Sequence, residues 1–225
     1  MVPGSRSVSG RYKRLQQLLQ FDRRLKRRLR SPEGPLAGVD EVGRGPLAGP
    51  VVASAVILHA TSFTVTVDDS KRLTPLARER AFHVIRSCAT IGLGFIHPEE
   101  IDHLGIYAAT HLAMTRAIEG LTLTPVMVLV DGLAVPPGLA VPAIPIVGGD
   151  AKSLSIACAS IVAKVIRDHW MNKVHLLFPD YGFHRHKGYG TKQHLSILRQ
   201  IGPTPLHRFS FHPIRQRSLS VSQDE

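Results

Sequence analysis

Acidic residues are scarce in this chain. Seventeen aspartates and glutamates stand against 28 lysines and arginines, a formal net charge of +11, which favours polyanionic partners, nucleic acid first and an acidic membrane second. Cysteine is scarcer still. Cys88 and Cys158 are the only two, and their apolar surroundings and non-metal spacing read as small buried hydrophobes in a reducing compartment. No apolar run reaches the roughly 18–20 residues of a membrane span. Two nucleotide fingerprints are missing as well: Gly43-x-Gly45-x-x-x-Gly49 has the wrong spacing for a dinucleotide fold, and no Gly-Lys-Ser/Thr follows for a P-loop. There is no internal repeat and no linker that splits the chain. What remains is one domain's worth of sequence, 225 residues at 44% hydrophobic, long enough to bury a core.

The stretch Leu36 to Leu58 organises the rest. An apolar entry leads to two adjacent acids, Asp40 and Glu41, then to the corner Gly43-Arg44-Gly45 and a second apolar run from Val51 to Leu58. Apolar β-formers on both sides of a short polar corner predict two strands joined by a turn. Carboxylates at the end of a buried strand are costly to desolvate unless a cation or donors meet them. The glycines and Arg44 bring backbone N–H groups and a guanidinium close enough to cradle a phosphate. A tight hairpin whose acids face water fits this stretch equally well when it is taken alone.

Residues 1–30 carry Arg6, Arg11, Lys13, Arg14, Arg23, Arg24, Lys26, Arg27, Arg28 and Arg30 against Asp22 alone. Met1 to Gly10 is Ser/Gly-rich and is expected to lack fixed structure. From Tyr12 the leucines 15, 18, 19, 25 and 29 fall near one helix face, which suits a docking helix, a membrane-surface helix or an Arg-rich presequence. Phe63 to Val67 alternates as a third strand. Thr74 before Pro75 predicts the cap of a helix running to about Cys88, Thr90 to Ile96 a strand, His97 to Glu100 the start of a short helix, and Tyr107 to Glu119 a longer one. Val126 to Val130 reads as a strand buried on both faces, Ala143 to Val147 as the next, Lys152 to Leu177 as a long helix. Tyr181 to Gly190 is a basic, aromatic, glycine-punctuated loop, and Lys192 to Gln200 a last helix. Beyond Pro203 the tail reads as polar and loosely held. A strand meander followed by strand–helix alternation predicts an α/β fold, a mixed sheet with helices on both faces.

Three strand-like segments end in acids: Asp40-Glu41, Asp131 and Asp150. Singly, each is well explained as the polar exit of a strand. Meeting at one sheet edge they could not all ionise without a cation, and carboxylate oxygens select Mg²⁺ or Mn²⁺. Two such ions suit phosphoryl displacement. Adjacent residues of a strand point to opposite faces, so either the strand ends by Glu41 or Glu41 is more peripheral than Asp40. His184, His186 and His194 are discounted as a zinc or general-base set, since no cysteine partners them.

The run GVDEVGRGPLAGPVVASAVIL resembles the N-terminal signature of bacterial ribonuclease HII. So do Asp69-Ser70-Lys71-Arg72-Leu73, the Ala108-Ala109-Thr110 helix with Ala113-Met114, Gly149-Asp150 with the Ser155 to Lys164 block, and Tyr181-Gly182-Phe183 with His186 to Thr191. The resemblance runs from Leu36 to Phe211, and Asp150 fits HII rather than HIII, where Glu is usual. It implies a ribonuclease H-like fold with a five-stranded mixed sheet and a small C-terminal helical region. The domain reading is then a basic extension over 1–30, a catalytic domain over 31–214 and a tail over 215–225. The resemblance also implies that Asp40, Glu41, Asp131 and Asp150 hold Mg²⁺ or Mn²⁺. Gly43, Arg44, Gly45, Lys71, Lys187 and Tyr189 would contact the substrate, an RNA/DNA hybrid or duplex DNA with embedded ribonucleotides, cut on the 5′ side to leave 3′-hydroxyl and 5′-phosphate ends. Lys152, Lys164 and Lys192 are further candidates for phosphate contacts. Family members commonly begin with a short amphipathic helix, which favours the docking reading of the N-terminus. A cytoplasmic monomer without membrane association is expected.

Overall fold

The computed structural model describes residues 5–29, 33–60, 63 and 65–215. Five strands, β1 (Leu36–Val42), β2 (Val51–Leu58), β3 (Ala89–Ile96), β4 (Met127–Asp131) and β5 (Ala143–Ile146), form one sheet in the order β3-β2-β1-β4-β5. β1, β2 and β3 are an antiparallel meander, and β4 and β5 join in parallel on the other side of β1. That is the mixed five-stranded sheet the sequence predicts.

Alternation along the central strands assigns the two faces. Ala37, Val39, Val51, Ala53, Ala55, Ile57, Val128 and Val130 pack with Ala109, Ala113 and Ala117 of α4 (Ile106–Glu119) and with Ile101 of α3 (Pro98–Leu104). The intervening positions face α5 (Leu154–Leu177), where Ser54 Oγ donates to the Ala159 carbonyl at 2.7 Å. Small residues let α5 lie almost on the strand: a Cβ on Gly38 would sit 2.2 Å from the Ser155 carbonyl carbon, so a side chain there would lift the helix off the sheet. Behind α5, α1 (Ser5–Arg28) and α2 (Pro75–Cys88) close a second core through Leu15, Leu18, Leu19, Phe82 and Ile85. Thr74 caps α2, its hydroxyl accepting from Ala77 N–H at 3.3 Å, as the Thr-Pro pair predicts.

Three expectations change. Phe63 to Val67 is not a strand; Phe63, Val65 and Val67 insert into the core beneath α2 and α5, and the third strand of the meander is β3. β2 has β1 and β3 on its two edges, so no ladder position beside β2 was open for that segment. The N-terminal helix begins at Ser5, not Tyr12; residues 1–4 lie outside the described residues. The segment after Pro203 is tightly held, with His207 and Arg208 fully buried and Ile214 nearly so. The proposed tail from 216 onward lies outside the described residues. α6 (Phe183–His186) and α7 (Lys192–Ile201) pack with that segment around Phe183 and Tyr181.

Candidate active site

β1 continues through Glu41 to Val42, so Asp40 and Glu41 leave opposite faces. Asp40 shares the α5 face with Asp131, at the end of β4, and Asp150, in the turn Gly149–Ala151 that leads into α5. Oxygen atoms of these three carboxylates all lie within 4.8 Å of one another. Burial, then the neighbouring charges of Glu41 and Asp131, pushes Asp40 well above the usual carboxylate range, and burial raises Asp131 too, against the 2.6 Å hydrogen bond it accepts from Gly149 N–H. Three crowded, largely buried carboxylates are what a hard divalent cation neutralises. The triad could hold a metal ion. Glu41 stands outside that triad, turned to Arg44 at 3.3 Å, and is raised chiefly by burial, with Arg44 opposing. Lys71 Nζ approaches Asp150 at 3.5 Å from the exposed side, on a corner pinned to α5 by the Ser160–Ser70 hydroxyl bond of 2.9 Å.

The Gly43-Arg44-Gly45 corner sits against Tyr189. A Cβ on Gly45 would come within 3.8 Å of the tyrosine ring, and Leu47 N–H donates to the Gly188 carbonyl at 2.8 Å. The corner is shaped by two buried arginines. Arg208 donates to the carbonyls of Gly43, Arg44 and Gly49 at 2.5–3.0 Å, and Arg167 to those of Pro50, Lys187 and Ala48 at 2.9–3.1 Å. Gly43 has φ +93°, and a Cβ there would lie 2.3 Å from Arg167 Nε, so the position admits no side chain. Burial lowers Arg167 to about 10 and Arg208 to about 9, the latter also through the field of Arg167. Both remain charged at neutral pH.

Comparison with known proteins decides the family. The family model described as ribonuclease HII matches residues 37–214. A ribonuclease HII of Geobacillus kaustophilus is 51% identical over 182 residues, 80% of this chain and 69% of its own length. That of Thermotoga petrophila is 51% identical over 181 residues, 80% and 74% of the two chains. The chain belongs to the ribonuclease HII family. That makes it a type 2 ribonuclease H, an endonuclease acting on nucleic acid. The crystal structure of a ribonuclease H2 from Pyrococcus horikoshii OT3 superposes with a TM-score of 0.69 at 25% identity, covering 84% of this chain and 99% of that one, and the fold is the ribonuclease H-like one.

Asp40, Asp131 and Asp150 thus converge, Lys71 borders them, Arg44 pairs with Glu41, and Gly45 meets Tyr189. Lys187 is committed elsewhere, its ammonium donating to Asn172 and to the His184 carbonyl, so a phosphate would have to compete for it. Arg167, Arg208, Asp22 and His207 went unremarked as site-shaping residues. Their partners are mostly backbone atoms distant in sequence, which no local pattern reveals.

His194 of α7 and His207 of the C-terminal segment form a buried chain under Tyr189. Thr204 N–H donates to His207 Nδ1 at 2.9 Å, His207 and His194 meet through their Nε2 atoms at 3.0 Å, and His194 Nδ1 lies 2.9 Å from the Tyr189 carbonyl. These partners fix the tautomers, with His207 donating through Nε2–H and His194 through Nδ1–H. A proton on either ring would put two N–H groups face to face. Burial accordingly lowers both rings to about 4. The folded pKa lies below the unfolded value near 6.5, so the unfolded chain takes up protons that the folded one refuses. Stability from this pair is complete above about pH 6.5 and declines towards pH 4, by up to about 1.4 kcal/mol per pH unit for each ring. Thermal melts between pH 7.5 and 4.5 should therefore show a shallower acid-side fall for His207→Gln than for the unaltered protein. Parallel curves would remove the pair from the pH response.

Proposed function

We propose that this chain hydrolyses the RNA strand of RNA/DNA hybrids and incises duplex DNA on the 5′ side of an embedded ribonucleotide, leaving 3′-hydroxyl and 5′-phosphate ends. The observation that carries the reading is the convergence of Asp40, Asp131 and Asp150 beside a glycine corner and Tyr189. An all-oxygen donor set suits Mg²⁺ or Mn²⁺, and Asp40, Asp131 and Asp150 would hold the ion, with Glu41 as a more peripheral ligand. Bound there, divalent ions supply Lewis-acid activation of water and charge neutralisation at the phosphoryl group. The chain's own residues do the rest. The Gly43-Arg44-Gly45 backbone reads the ribose, Tyr189 packs on the neighbouring deoxyribose, and Lys71 and Arg44 attract phosphate oxygens. The enzyme is proposed to act as a monomer in the cytoplasm, in DNA replication and repair. Among the described residues no helix is long and apolar enough to cross a membrane.

The test is incubation with Mg²⁺ or Mn²⁺ and a duplex carrying one ribonucleotide, beside the same duplex in all-DNA form. A single ion-dependent incision 5′ of the ribonucleotide, with the all-DNA duplex intact, is the expected result. Equal cutting of both would favour another nuclease chemistry on this fold. Tight binding without turnover would leave a hybrid-binding protein.

A further inference from the structure

The basic helix α1 has no part in the site described above, and it lies ahead of the matched span 37–214, yet it grips the turn that carries Asp150. On one side of that turn Arg14 donates to the Ala151 carbonyl and to Asp68, both at 2.8 Å. On the other side the buried carboxylate of Asp22 accepts from Ser155 N–H at 3.0 Å and Ser155 Oγ–H at 2.8 Å. Between helix and turn runs an open groove of about 260 Å³, lined by Arg14, Gln17, Gln20, Phe21, Arg24 and, from the turn, Lys152 beside Ala151.

Its charges decide what it takes. Among the described residues no carboxylate lines it. Arg14 is matched by Asp68, but among the described residues Lys152 Nζ meets only the Val147 carbonyl at 2.6 Å and Arg24 only the Gln20 amide oxygen at 3.5 Å. Two cations with neutral partners, next to two side-chain amides, make a site for an anion that also accepts hydrogen bonds. The groove begins at Ala151, the residue next to Asp150, within reach of a strand laid across the acids. A membrane fits poorly, because an interfacial helix must offer its apolar face to lipid, and here Leu15, Leu18 and Leu19 are at most 6% exposed, sealed against the core. On the outward side Arg23, Arg27 and Arg28 continue the cationic face.

We propose that the groove between α1 and the Gly149–Ala151 turn is an additional phosphate site, holding the phosphodiester backbone of the duplex to one side of the cut. It deepens the reading of the chain as a duplex-cutting nuclease. A phosphate contact is blind to the sugar, so the groove should grip all-DNA and ribonucleotide-containing duplexes alike.

The experiment measures Kd against salt for the full chain and for Arg24→Gln, Lys152→Gln and their double variant, without divalent ions. The probes are a long duplex with one ribonucleotide, the all-DNA duplex of equal length, and a series shortened from either end. Each neutralised phosphate adds about one to the slope of log Kd against log salt. The double variant should lose about one to two units of slope on both long duplexes. The loss should vanish once the duplex is shortened from one end only. Both side chains are exposed, so melting temperatures should match the unaltered protein. Unchanged slopes on every duplex would overturn the proposal, even if ribose-dependent cutting is intact. A slope loss seen alike with and without truncation would reduce the groove to general charge and overturn it too. Loss of binding to anionic vesicles with unchanged duplex slopes would assign the helix to a membrane instead. Slope loss on the long duplexes without ribose-dependent cutting would keep the groove and fail the nuclease reading, so the two are separable.

Discussion

Asp40→Asn and Asp131→Asn are each expected to reduce cleavage by roughly 10³-fold or more, about 4 kcal/mol of lost transition-state stabilisation, while hybrid binding stays close to its original strength. The asymmetry follows from who does what. Carboxylates contribute to holding ions and to chemistry, whereas affinity for the duplex comes from lysines and arginines facing phosphates. The same variants carry an opposite signature in stability. Asp40 is almost fully buried beside Asp131 and Asp150, and burial followed by the charges of Glu41 and Asp131 raises its pKa. Its folded pKa therefore lies above the unfolded value, and the ionised form is a cost to the folded state at neutral pH. Asn removes that charge. In chelator-treated buffer at pH 7.5 both variants should melt higher than the unaltered protein, each kcal/mol relieved being worth about 2–4 °C in a chain of this size. The gap should narrow as pH falls and the unaltered acids take up protons, and narrow again when Mg²⁺ is added. Activity assays with calorimetry at two pH values check both halves. A fully active Asp40→Asn protein would end the metal reading.

Tyr189→Ala should separate two substrates that the unaltered protein cuts. On a duplex with one embedded ribonucleotide the rate should fall about 10²-fold, while on a long RNA/DNA hybrid the loss should stay within about fivefold. Telling ribose from deoxyribose means sensing one 2′-hydroxyl, and a site that hydrogen-bonds a hydroxyl can reject the analogue lacking it by roughly 10⁴-fold, because its own polar groups are left unpaired. The backbone of Gly43-Arg44-Gly45 is suited to that task, its carbonyls already oriented by Arg208. Tyr189 is suited to the next sugar, since its ring lies against the Gly45 position and is 42% exposed, enough to pack on a deoxyribose where a hydroxyl would intrude. In a continuous RNA strand there is no deoxyribose at the junction to recognise, so removing the ring costs less. Tyr189→Phe should fall between, retaining the packing and losing the phenol. Equal, small losses on both substrates would leave Tyr189 as a packing residue.

How much of this was legible in the sequence depends on where each residue's partners lie. Strands β1 and β4 announce themselves because a buried strand must be apolar along its length and polar at its exit, and those exits are the acids; β2 is legible as an apolar run. The Thr74 cap is likewise local. Phe63 to Val67 misled because alternation reports one buried face and is silent about a hydrogen-bonded neighbour; those side chains fill the core without joining the sheet. The segment after Pro203 looked loose because Arg208 and His207 are polar. In the fold their partners are backbone carbonyls and another histidine, which composition cannot express. Period-two alternation left two alternatives, a strand that ends by Glu41 or a Glu41 more peripheral than Asp40, and β1 runs on past Glu41 to Val42.

The arginine clamp on the glycine corner has a consequence for the order in which the protein matures. The carbonyls of Gly43 and Arg44 are held by a residue about 160 positions later, at sequence separations of 165 and 164. On a ribosome, where the chain emerges from its N-terminal end, all five strands and the Asp150 turn are out before Arg208 is. Asp40, Asp131 and Asp150 can come together around the sheet while the glycine corner, proposed to read the ribose, still lacks its last fastener. On the proposed reading, selectivity is completed after the carboxylates are assembled, and a nascent chain stalled short of Arg208 would carry the acids without the finished means of choosing where they cut.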